Sequence, residues 1–141
     1  MKRQKAHILR MTNLLLVAVA GMLLGGCAMQ QSQKKLEDLE YTVVKPAEVP
    51  ETLAEQIEAE KEAEFQLIYS DQEFLYIAKG YGEQETGGYS ISVEECYLGE
   101  DAICVKCVLT GPKVGEQVNK APTYPYIVLK TELREEAVVF Q

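Results

Sequence analysis

The chain is 141 residues long and carries 22 acidic against 14 basic side chains, for a formal net charge of −8. A surface this acidic repels phosphate backbones, which excludes nucleic acid as a partner. Once a leader is set aside, the length suits one small domain with one core.

The leader comes first. Lys2, Arg3, Lys5 and Arg10 form a basic segment, an apolar run extends from Leu14 to Leu24, and Gly25-Gly26-Cys27 closes it. An apolar run of eleven residues is too short for a permanent membrane-crossing helix and suits a signal peptide. Leu24-Gly25-Gly26-Cys27 resembles a bacterial lipobox, in which small residues enter a peptidase groove and the cysteine is acylated. Each buried CH₂ of an acyl chain contributes about 0.8 kcal/mol, so several chains anchor stably. The expected organisation is a lipoprotein signal peptide over 1–26, a diacylglyceryl-cysteine at Cys27 with a flexible tether over 27–40, and one globular domain over 41–141. The expected location is extracytoplasmic, lipid-anchored to the cell membrane. Removing the leader takes away four basic residues and no acidic ones, leaving 10 basic against 22 acidic and a net charge of −12. It also removes the only histidine, His7, and leaves Arg134 as the one arginine.

Ala28 to Glu40 is rich in Gln, Lys, Glu and Ser and reads as a spacer. Tyr41 to Lys45 is β-prone. Pro46 and Pro50 bracket a connection, and Glu51 to Glu64 has the composition of a helix, with acidic residues at its start. Its apolar stripe, Leu53 and Ile57, is narrow, which places it on the outside of another layer. Phe65–Tyr69 and Glu73–Ala78 flank the turn-like Ser70-Asp71-Gln72 and predict a hairpin. Tyr89, Ile91 and Val93 alternate with Ser90, Ser92 and Glu94, as in a strand with one buried face. A turn at Leu98–Asp101 leads into Ala102–Leu109, with Ile103, Val105, Cys107 and Leu109 on one side. Tyr124–Leu129 and Glu136–Phe140 complete the set. The expected fold is α+β, mainly antiparallel β: a small sandwich or open barrel of six to seven strands with one N-terminal amphipathic helix.

With His7 in the leader, Ser-His-Asp and Cys-His arrangements and histidine zinc sites are excluded from the domain. The carboxylates sit mostly on the helix and in turns, where a solvated face accounts for them, and no positioned acid, base or nucleophile stands out. The expectation is a non-catalytic protein without cofactor or metal. Cys104-Val-Lys-Cys107 has the spacing of redox motifs, but residues three apart in a strand point to opposite faces. Buried or free thiols are the first reading of Cys96, Cys104 and Cys107. The alternative is a disulfide between Cys96 and Cys104, placed opposite each other by a three-residue loop at Gly99–Asp101.

Two loops carry the candidate binding chemistry. Glu85-Thr-Gly-Gly-Tyr-Ser-Ile91 places Gly87 and Gly88 directly before Tyr89. Gly111-Pro-Lys-Val-Gly115 is followed by Ala121-Pro-Thr-Tyr-Pro-Tyr126. Rigid tyrosines offer contact area at small entropic cost, so Thr86, Gly87, Gly88, Tyr89, Thr123, Tyr124, Pro125 and Tyr126 are the candidate partner-binding residues. On the other reading the glycines make a tight connection and the tyrosines cover one end of the core.

The runs Tyr81–Val93, Leu109–Val118 and Ala121–Tyr126 resemble the PrcB C-terminal family, named after an accessory subunit of a surface protease complex. The likeness covers about residues 73–131. It departs from the common pattern at Glu85, where family members often have proline. The resemblance implies a module that assembles or stabilises a protease and does not itself cleave; members are commonly short lipoproteins or secreted proteins. Thr86-Gly-Gly-Tyr89 is also partly similar to the inserting loop of chagasin-type cysteine-protease inhibitors, although Asn-Pro and Arg-Pro-Trp are missing. That similarity implies the alternative of a protease inhibitor acting through this loop. A structural or small-ligand-binding envelope lipoprotein is the third alternative.

Overall fold

A computed structural model describes residues 33–141; the expected signal peptide and Cys27 lie outside the described residues. In chain order the elements are β1 (Lys35–Asp38), β2 (Thr42–Val43), a 3₁₀ turn (Pro46–Glu48), α1 (Glu51–Glu60), β3 (Glu64–Ser70), β4 (Phe74–Tyr81), β5 (Ser90–Gly99), β6 (Ala102–Thr110), β7 (Tyr126–Glu132) and β8 (Ala137–Phe140). Two four-stranded sheets form, in the orders β1-β5-β6-β8 and β2-β7-β4-β3, and neither closes into a barrel. Among the described residues the result is an α+β sandwich with one helix.

The layers follow from which faces are apolar. Leu75 and Ile77 of β4 and Ile127 and Leu129 of β7 meet Cys96 of β5 and Ile103 and Val105 of β6 between the sheets. The opposite face of the second sheet carries Phe65, Tyr76, Ala78 and Val128, and α1 covers it with Leu53 and Ile57. A sheet covered on both faces needs no alternation, and β4 is accordingly buried without interruption from Leu75 to Gly80. Each buried aliphatic side chain contributes about 1.5–3 kcal/mol, which is what holds α1 in place despite its narrow stripe.

One cross-strand row on the helix-facing side of the second sheet depends on a glycine. Phe65, Gly80 and Tyr126 are neighbours across β3, β4 and β7. A Cβ at Gly80 would stand 2.1 Å from Phe65 Cε1, so the ring occupies the space the glycine leaves empty.

Several expectations are corrected. The tether does not extend to residue 40: Lys35–Asp38 pairs with β5, and Leu39, only 6% exposed, drops into the inter-sheet core. The four residues of β1 are all exposed, so main-chain pairing, and no apolar pattern, makes this strand. The helix stops at Glu60 instead of Glu64 because Glu64 is taken into the β3–β4 ladder opposite Tyr81, with its carboxylate on Lys79. The described residues form eight strands where six to seven were expected, the added one being β1. The last strand, β8, pairs parallel to β6.

The Cys96–Cys104 bridge is overturned by register. Gly99 is a strand residue, so the turn is one residue shorter than expected, and Cys96 faces Val105 while Tyr97 faces Cys104. Cys96 then points between the sheets and Cys104 to the outer side with Tyr97, beyond the reach of a disulfide. Cys96, Cys104 and Cys107 are all free thiols. A bulge between Val93 and Glu95 shifts the phase of β5, so that Ile91, Val93, Cys96 and Leu98 share the inner face.

Candidate functional site

At the end of β4 the chain leaves the second sheet through residues 82–89 and enters β5 of the first. The segment 111–125 makes the reverse crossing, from β6 to β7. The two crossings lie side by side and are zipped together. Gln84 and Thr123 form an antiparallel bridge, with N–H···O distances of 2.8 and 2.9 Å in the two directions. The Gly87 amide donates to the Asn119 carbonyl at 2.8 Å. The Thr123 hydroxyl donates to the Thr86 carbonyl at 2.6 Å. At the base of the crossing the Tyr81 amide donates to the Pro125 carbonyl at 3.1 Å, and the Gln84 side-chain amide donates to the Tyr81 carbonyl at 3.1 Å.

Gly88 shows why a glycine pair is placed there. Its φ is +85°, and a Cβ would stand 2.5 Å from Val118 Cγ1 and 3.0 Å from Pro112 Cβ. Only glycine combines that backbone angle with that approach. The Tyr89 ring follows, packed against Gly111 of the second crossing, and is half-buried.

The tyrosines of the second crossing serve different ends. Tyr124 lies by the C-terminal end of α1: the Lys61 ammonium sits 5.0 Å from its ring centroid, and its hydroxyl donates to Glu83 Oε2 at 3.2 Å. Desolvation first, and then the Glu83 carboxylate, push this phenol above its ordinary range. Tyr126 opens β7 and packs against the apolar cluster beneath α1. Tyr89 and Tyr126 therefore serve different sheets, and both are half-buried. The structure ties Thr86, Gly87 and Thr123 together by hydrogen bonds, packs Gly88 and Tyr89 against the second crossing, sets Tyr124 and Pro125 at the margin and gives Tyr126 a packing position.

Sequence reasoning passed over Gln84, Asn119 and Val118, which hold the unit from within. Their only signal is a polar or β-branched residue in a loop, and nothing local says which distant segment it meets. The outermost part is the turn Lys113–Glu116, where the Glu116 amide donates to the Lys113 carbonyl at 3.0 Å and Glu116 Oε2 accepts from the Lys113 amide at 2.8 Å. It presents Val114 fully to solvent. Chemically the end is a stiffened surface of Glu83, Glu85, Lys113, Val114 and Glu116, all exposed. Among the described residues no group of three or more His, Cys, Asp or Glu side chains converges on a metal position. A separate groove of about 510 Å³, with Tyr41, Phe74 and Lys130 among its walls, lies at the other end of β4.

Residues 75–132, from β4 through β7, match the protein family described as PrcB C-terminal. The matched span contains both crossings. No curated protein and no solved structure matches the chain.

Proposed function

We propose that this chain, which carries a PrcB C-terminal-like domain, is a non-catalytic module that docks on another extracytoplasmic protein and serves as an accessory part of a protease complex. The family is consistent with that role. The carrying observation is the zipper between the two crossings. Gln84–Thr123, Thr86–Thr123 and Gly87–Asn119 fix in advance a surface that would otherwise lose freedom on binding. Anchoring through an acylated Cys27 would hold this surface outside the membrane, near its partner.

The zipper also bears on the inhibitor reading. Thr86 and Gly87 are half-buried and held by Thr123 and Asn119, which favours a supporting surface over a loop inserted into a cleft.

The test is co-purification. The full chain, tagged at its C-terminus, is recovered from detergent-solubilised envelopes of its own cells and assayed for associated protease activity. The comparison is the double variant Glu85→Arg, Val114→Asp, whose two sites are exposed. The expected result is co-purifying activity with the parent chain and its loss with the variant. Equal activity in both preparations, or inhibition of that protease by added chain, rules the reading out.

A further inference from the structure

Among the described residues, each sheet ends on two strands with one open side. An open strand edge offers unpaired amides and carbonyls to other chains, and folds usually blunt it. Three of the four edges here are blunted. β2 has two residues, β8 has four, and β1 has four with an irregular register and three charged residues, Lys35, Glu37 and Asp38. The fourth, β3, has seven residues in unbroken register with β4 and contains no proline and no lysine.

The ladder shows which groups of β3 face outward. The Asp71 amide bonds to Phe74, while the Tyr81 amide bonds to Pro125 and the Leu133 amide to Glu73. All three fix the same parity. Phe65, Leu67 and Tyr69 exchange bonds with β4, and Glu64, Gln66, Ile68 and Ser70 turn their amides and carbonyls to the open side. Ile68 stands opposite Ile77 of the inter-sheet core but is itself 46% exposed.

We propose that β3 pairs antiparallel with β3 of a second copy of this chain, joining two four-stranded sheets into one. Antiparallel overlap of the whole strand about Leu67 brings outward-facing residues opposite each other, as backbone pairing requires: Glu64 with Ser70 of the second copy, and Gln66 with its Ile68. The alternate positions then put Phe65 against Tyr69 and Leu67 against Leu67, as non-hydrogen-bonded pairs whose side chains approach closely. No like charges meet, since Glu64 is held by Lys79 and faces a serine. The pairing covers Ile68 and carries the inter-sheet core one row further. The net charge of −8 opposes it, so association strengthens with added salt.

The test uses the full chain in mild detergent. Under an added thiol oxidant, Leu67→Cys forms a covalent homodimer above the parent's background, because the two sulfurs meet at the two-fold axis, whereas Ile68→Cys forms far less. Adding Ile68→Pro, which removes an outward amide and leaves the β4 ladder intact, abolishes the cross-link with Leu67→Cys retained. Light scattering on the otherwise unmodified chain then reports a dimer that Ile68→Pro converts to monomer. A monomeric parent, equal cross-linking from Ile68→Cys, cross-linking that survives Ile68→Pro, or cross-linking only to a different protein overturns the proposal.

Discussion

The Thr123 hydroxyl donates a 2.6 Å hydrogen bond to the Thr86 carbonyl, tying one inter-sheet crossing to the other across 37 residues of sequence. Both groups are part-buried, so removing the donor leaves the carbonyl without this partner. Thr123→Val keeps the shape and removes the hydroxyl. The expected cost is about 1–3 kcal/mol. It should appear as faster amide exchange at Gln84 and Gly87, with the strands of the sandwich less affected.

Gly88→Ala should damage the same unit by another route. The alanine must accept a φ of +85° and a Cβ 2.5 Å from Val118 Cγ1. The backbone angle alone costs about 1–2 kcal/mol. Adding Val118→Ala relieves the contact but not the angle, so the double variant should recover only part of the lost melting temperature.

The row of Phe65, Gly80 and Tyr126 makes a separate prediction about the helix layer. Gly80→Ala drives a methyl group to within 2.1 Å of the Phe65 ring and should destabilise the fold by about 1–3 kcal/mol in urea unfolding. Phe65→Leu in the same chain should restore much of that loss, whereas Phe65→Leu alone should be destabilising.

Leu53 joins α1 to the sheet and is fully buried. Leu53→Ala should cost about 2–5 kcal/mol and expose the face formed by Tyr76, Ala78 and Val128. Tryptic cleavage at Lys61 should accelerate while the first sheet keeps its amide protection.

Alkaline pH should weaken the fold. Burial pushes the Cys96 thiol from 9.0 up to about 11, with a smaller push from Cys107. A folded-state pKa above the unfolded one means that stability is intact below pH 9.0 and falls as pH rises towards 11. Tyr76 and Tyr81 are also pushed up, chiefly by desolvation, and act in the same direction. Thermal unfolding of the parent and of Cys96→Ala between pH 8 and 11 should give curves that converge as pH rises. Parallel curves would rule out Cys96 as a contributor.

Much of this was legible from the residues alone, and for a local reason. Leu53 and Ile57 repeat at helical spacing and Ile103 and Val105 at strand spacing, so their burial can be read within a few residues of each one. Glycines beside Tyr89 and prolines beside Tyr126 marked both crossings, because backbone constraints are also local. The PrcB-like run of loop residues, matched over 75–132, is likewise a property of contiguous sequence.

The assembled chain decided what depends on distant partners. Lys35–Asp38 has no strand pattern and becomes a strand only because β5 offers it an open edge. Whether Cys96 meets Cys104 or Val105 turned on one residue in a hairpin, since a single step of register moves every side chain to the opposite face. Tyr126 was separable from Tyr89 only once α1 was seen to need a surface to cover. Short-range spacing encodes which residues prefer to be dry; the pairing of edges, the phase of a bulge and the meeting of two loops are settled by contacts between segments far apart in the chain.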